Sequence, residues 1–145
     1  METSARLRTE APTSYVTVSG SCISVANTVK SLSVTLDSAL TFDHHVRNIC
    51  KSSAYHLRAL RHIRRSIDEH SAQSIACSLV GARIDYCNAL LYGTSQANID
   101  RLQRLQNSLA RTVAGVRKYT HITPTLKHQL HWLPISARIN YKIAL

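Results

Sequence analysis

The hydrophobic period of this chain changes once, near Asp43, and that change limits what it can fold into more than any other feature. Before it, apolar and β-branched residues alternate with a period of two. After it, they recur every three or four residues. Strands followed by helices, rather than the two interleaved, predict an α+β fold.

The β-like part is short. Tyr15-Val16-Thr17-Val18 alternates, Ser19-Gly20-Ser21 supplies a turn, and Cys22-Ile23-Ser24-Val25 reads as the return strand. Val29 to Leu36 forms a further run with Leu32, Val34 and Leu36 on one face, and Asn27 and Asp37 sit at the breaks. Residues 15–37 are therefore expected to form a small antiparallel β-sheet. A lone hairpin is marginal in water, so this sheet should lean on a helix or on further protein. Residues 1–14 are polar without apolar period and are expected to be a disordered tail.

Residues 38–145 read as a bundle of four to five helices, making the whole α+β but mostly α. The first helix opens at Asp43 as N-cap and runs to about Arg65, with Val46, Ile49, Cys50, Leu57, Leu60 and Ile63 as its apolar face. A second starts near Ser66 or Asp68 and is expected to continue toward Leu91, with Gly93 as the stop. From Ser71 to Ile99 only Arg83 and Asp85 are charged, which predicts a helix buried on most sides. A third spans roughly Asn98 to Val116, with Ile99, Leu102, Leu105, Leu109 and Val113 in one stripe. Thr123-Pro124 starts a short fourth that runs to about His131, and Pro134 a last one that the chain leaves unfinished at Leu145.

Most enzymatic chemistry lacks its residues here. The acids number eight: Glu2, Glu10, Asp37, Asp43, Asp68, Glu69, Asp85 and Asp100. No Asp-Asp pair exists for two-metal phosphoryl transfer, and Asp68-Glu69 fits the first turn of a helix. His44 and His45 point to different faces and read as exposed; His128 and His131 could share a face, but no second ligand cluster completes a zinc site. The four cysteines make no Cys-x-x-Cys pair, and Cys50, Cys77 and Cys87 read as small buried hydrophobes. Gly-x-Ser-x-Gly and a glycine-rich phosphate loop are both missing. The expectation is a protein that is not an enzyme, with no cofactor, no metal and no small-molecule substrate. No apolar run approaches the roughly 20 residues of a membrane span, and the N-terminus has no apolar signal core. The expected location is intracellular, cytoplasm or nucleus, with no membrane partner.

What remains is charge. The formal net charge is +10, which attracts polyanions. On the first helix Arg47, Lys51, Arg58, Arg61 and Arg65 fall in one narrow arc, about 120° from the apolar face. His62 borders that arc, and Asp43 is the one acid in the segment. On the third helix Arg104 and Arg111 lie away from the apolar stripe, with Arg101 and Lys118. Residues 47–65 cover about 27 Å of helix, and a duplex strand carries a phosphate roughly every 3.4 Å. Arginine forks suit such phosphates, and contacts of this kind carry little sequence preference. Nucleic acid, bound through its backbone, is the expected partner. The alternative is a helical protein-interaction or purely structural bundle, or an inert gene fragment, whose cationic faces have no nucleic-acid role.

Several blocks resemble one family. Val29-Lys30-Ser31-Leu32-Ser33-Val34-Thr35-Leu36-Asp37 with Leu40-Thr41-Phe42-Asp43-His44-His45-Val46 is similar to the segment after the palm in reverse transcriptases of LINE-type non-LTR retrotransposons, of the jockey and chicken-repeat clades. Arg83-Ile84-Asp85-Tyr86-Cys87-Asn88-Ala89-Leu90-Leu91 resembles a second block. Arg101-Leu102-Gln103-Arg104-Leu105-Gln106-Asn107, followed by Ala110-Arg111, resembles a third. The last is His121-Ile122-Thr123-Pro124, Leu130-His131-Trp132-Leu133-Pro134 and Arg138-Ile139. The resemblance covers about residues 15–145 and implies the primer-grip end of the palm, then the thumb. In this family the thumb is a helical bundle that packs along the template–primer duplex. Leu32-Ser33-Val34 falls where the family usually has Leu-Gly-Val, in the primer grip. The family's catalytic aspartates, which hold its magnesium, would lie upstream of Met1. The implied protein is a truncated, non-catalytic remnant of an RNA-directed DNA polymerase. In a full-length parent, the missing palm and fingers would be its further partners.

Overall fold

A computed structural model describes residues 15–145 of the chain. It shows an α+β protein, mostly α, with two short antiparallel sheets followed by five helices. The expected disordered tail, 1–14, lies outside the described residues.

The β part is two separate hairpins rather than one sheet. In the first, β1 (Tyr15–Val18) pairs with β2 (Ser21–Ser24), Val18 facing Ser21. Its two turn residues, Ser19 and Gly20, both have positive φ, the conformation that matches the strands' right-handed twist. In the second, β3 (Thr28–Ser31) pairs with β4 (Val34–Asp37), Ser31 facing Val34. Leu32 and Ser33 form this turn at φ 45° and 66°. The expected single run from Val29 to Leu36 is thus folded back on itself. Alternation alone could not reveal this, because the turn lacks the Asn or Gly that normally marks it.

β1, β2 and β3 are exposed throughout, and β4 alone meets the helices, burying Val34. Asp37 then shapes the entry to α1 (Asp43–Ile63). Its carboxylate accepts from the amides of Thr41 and Phe42, both at 2.9 Å, and of Ala39 at 3.2 Å. These bonds, the Thr41 amide foremost, hold the Asp37 carboxyl below the usual carboxylate range. Phe42, with φ 62°, occupies the cap position, so Asp43 is the first helical residue and not the N-cap the sequence suggests.

The second helix does begin where Asp68 caps it, the carboxylate accepting from the Ser71 amide at 2.8 Å. It does not run on to Leu91. α2 (Glu69–Ala76) passes into a π-helical turn at Cys77–Gly81, a short α3 (Ala82–Asp85) and a 3₁₀ turn at Asn88–Leu91. Nor is it buried on most sides: Cys77, Ser78, Leu79, Ala82, Arg83 and Tyr86 are exposed. A charge-poor segment is here a thin layer that buries Ala72, Ala76, Val80 and Ile84 through one face only.

α4 (Gln96–Ala114) ends at Gly115, whose φ of 66° turns the chain away while the Val116 amide bonds the Arg111 carbonyl. The expected short fourth helix is present over residues 123–129, π-helical at Thr125–Gln129, and α5 covers Ile135–Ala144. α1 and α4 lie side by side and parallel. Asn98 near the start of α4 donates to Asp43 at the start of α1 (2.8 Å), and Arg61 near the end of α1 donates to Thr112 near the end of α4 (3.2 Å). The core surrounds this pair: Val46, Leu57 and Leu60 meet Leu102, Leu109 and Val113, with Trp132, Ile135 and Ile139 completing it. Gln103 and Gln106 fasten α5, through the Ile135 amide at 3.0 Å and the Leu133 carbonyl at 2.8 Å. Arg138 grips both oxygens of Asp85 at 2.8 and 2.6 Å.

Two expectations about single residues are corrected. His45 is buried, its Nδ1 accepting from the Thr35 amide at 3.4 Å, because β4 covers the start of α1; His44 is exposed as expected. Of the cysteines expected to be buried, Cys50 is half-buried and Cys77 and Cys87 are exposed, for the same reason that α2 and α3 form a surface layer.

Candidate functional site

The expected cationic residues fall into two groups. Arg47, Lys51 and Arg58 are exposed along α1, and Arg104 is exposed on α4. Among the described residues none of these four has a side-chain hydrogen bond or an ion pair; the ion pairs are Arg101 with Asp43 and Arg138 with Asp85. Cys50, one helical turn from Arg47, is half-buried. Burial pushes its thiol up, while Arg101 and Arg104 pull it back. Arg101 meets Asp43 at 3.9 Å and Arg61 meets Thr112 at 3.2 Å, so these edges of α1 and α4 adjoin at both ends of the pair.

The second group converges. Arg61, Arg65 and Arg111 line a cleft of about 590 Å³ where α1 and α4 end together. Arg64, which the stripe pattern did not select, lines it too, as does Lys118. Arg64 is half-buried and committed to structure: its Nε donates to the Val113 and Thr112 carbonyls at 2.8 and 3.1 Å, and its Nη1 to the Ile67 carbonyl at 3.0 Å. It satisfies the open carbonyl end of α4, where a cation is favoured. Arg111 bonds the Thr120 carbonyl at 3.4 Å from two of its nitrogens. Arg65 has no side-chain hydrogen bond among the described residues, and Lys118 sits 5.6 Å from the Tyr119 ring centre.

The acids do not counter these cations. α1 and α4 carry one each, Asp43 and Asp100, both toward their N-terminal ends. Every acid in the described residues has a structural partner. Asp37 and Asp68 shape helix entries, Asp43 takes the Asn98 amide, Glu69 that of Gln129, Asp85 holds Arg138 and Asp100 takes Gln96. No three metal-ligating side chains come together among the described residues. This donor set does not fit a magnesium pair.

The residues matched to a primer grip are split by the second hairpin turn. Leu32 is 84% exposed and Ser33 exposed, whereas Val34 is buried against the helices. The Tyr86 hydroxyl ties this turn to the bundle through the Leu32 carbonyl at 2.9 Å. No family model, curated protein or solved structure matches this chain. No helix among the described residues is long and apolar enough to cross a membrane.

Proposed function

We propose that this chain is a non-catalytic nucleic-acid-binding module that grips a duplex backbone along the α1–α4 face, as the thumb of a LINE-type reverse transcriptase remnant would. The observation that carries the reading is the pairing of two parallel helices whose neighbouring edges are cationic and uncountered by acids over their C-terminal two thirds. A structural role accounts for Arg64 and in part for Arg61 and Arg111. It does not account for Arg47, Lys51, Arg58 and Arg104, which touch no acid and cover no carbonyl. Long-range attraction to phosphate is the chemistry left to them.

The reading is tested by titrating the chain with an RNA–DNA hybrid across a salt series. Reversal of Arg47, Lys51, Arg58 and Arg104 to Glu is expected to remove binding at moderate salt and to flatten the salt dependence by roughly 3 to 4 in log–log slope. The helical circular dichroism should stay unchanged, since these exposed side chains have no hydrogen bond or ion pair among the described residues to lose. Equal affinity in the reversed chain would leave the protein-interaction reading standing. That second reading draws on the exposed Leu79, Tyr86 and Leu90 of the charge-poor layer.

A further inference from the structure

The cleft at the end of the α1–α4 pair holds more positive charge than its structural work requires. Two helix C-termini meet there, each worth about half a negative charge. Together they call for roughly one cation. Five are present: Arg61, Arg64, Arg65, Arg111 and Lys118, with no carboxylate in the lining. The surplus is about four charges by that count.

The donors show which cations are free. Arg64 is consumed by carbonyls, and Arg61 and Arg111 each spend part of their guanidinium on Thr112 and Thr120. Arg65 and Lys118 make no hydrogen bond or ion pair among the described residues, Lys118 lying 5.6 Å from the Tyr119 ring centre, and Ser108 also lines the cleft. Cations crowded without counter-charge repel one another, and a multiply charged anion relieves that repulsion. At about 590 Å³ the cleft has room for more than one phosphate.

We propose that this cleft is a phosphate-binding site that takes clustered phosphates, with Arg65 and Lys118 as its free cations and Arg61 and Arg111 as its walls. It deepens the duplex-gripping reading and rests on it only for the source of those phosphates, either a nucleic-acid strand leaving the α1–α4 face or a free oligophosphate.

The probe is sodium tripolyphosphate, titrated calorimetrically into the whole chain at low salt. Two charge-matched variants are compared, R65E/K118E in the cleft and R47E/K51E on the stripe. Each changes the net charge equally, and none of the four side chains makes a hydrogen bond within the described structure. Affinity is expected to fall at least about tenfold in the cleft variant, the loss of one charge-assisted hydrogen bond or more, and far less in the stripe variant. Equal losses in both, or no binding to the unaltered chain, overturn the site. Competition between tripolyphosphate and the RNA–DNA hybrid supports a nucleic-acid source. Simultaneous binding assigns the cleft to a free oligophosphate. Tripolyphosphate bound at the cleft by a chain that ignores the hybrid sinks the duplex-gripping reading and leaves the site intact.

Discussion

The hairpins and the α1–α4 pair are built from similar apolar residues and put them in opposite environments. Val16, Val18, Ile23 and Val29 each remain at least half exposed, whereas Val46, Leu102 and Val113 are fully buried. The hairpins satisfy their own backbone but among the described residues have no layer above them; β4 alone is covered, by α1. Stability thus resides in the parallel helices and what wraps them, while residues 15–31 hang from β4. The largest expected effect follows directly. Leu102→Ala should cost about 2–5 kcal/mol in urea denaturation, and Val18→Ala less than about 0.5 kcal/mol. A similar loss at both positions would mean that the hairpins share the core.

Asn98 sharpens the same contrast, because it ties the hairpin side to the bundle. It is fully buried, and its amide donates to Asp43 at 2.8 Å, to Thr94 at 3.0 Å and to the Thr41 carbonyl at 3.3 Å. Its own oxygen accepts from Arg101 at 2.9 Å. Asn98→Ala leaves these groups without their partner and should cost about 1–3 kcal/mol. Unchanged stability would show that the α1 and α4 starts are held by packing alone.

His45 makes the seam between β4 and α1 sensitive to pH. Burial holds its imidazole below the usual value near 6.5. Lys30 and Arg83 line the same cleft and gain nothing from a third cation. The unfolded chain therefore takes up this proton first. Stability is intact above pH 6.5 and declines as pH falls from there toward the folded-state value. His45→Gln should flatten the decline measured between pH 7 and 5, and His44→Gln, at an exposed position, should not. An unaltered slope in the His45 variant would place the acid sensitivity elsewhere.

How much of this was legible in the sequence depends on length and charge. α1 and α4 each run for five turns or more, so their apolar stripes and their cationic arcs were both readable, and with them the α+β class. The short elements were not. The π-helical turn at Cys77–Gly81 has no compositional mark, and the burial of His45 depends on β4, which alternation cannot place. The convergence of Arg61, Arg65 and Arg111 needs the parallel pairing of two helices more than thirty residues apart, and Arg64 sits off the stripe because it faces α4. The blocks that resemble the retrotransposon family mostly hold the fold together: Asp85 with Arg138, Gln103 and Gln106 with the α5 entry, Tyr86 with the Leu32 turn.

The smallest expected effect concerns Ser33, where that family usually has glycine. Close backbone approach to a primer would explain a glycine there, but so would the turn itself, since φ is 66° at Ser33 and 45° at Leu32. A left-handed conformation costs a residue with a side chain roughly 1 kcal/mol, and glycine offsets part of that gain through its own entropy. Ser33→Gly should therefore stabilise the second hairpin by less than about 1 kcal/mol. If the hairpins are hung from the bundle rather than built into it, the gain is local. Amides of Val29 and Leu36, which face each other as a hydrogen-bonded pair, should exchange more slowly while the global unfolding midpoint stays put, because the hairpin opens without the core. A raised midpoint would instead couple β3–β4 to α1 through Val34 and His45. Affinity for the RNA–DNA hybrid separates the two explanations of the glycine. Unchanged binding assigns it to the turn, and tighter binding to contact with the strand that the hairpin would meet.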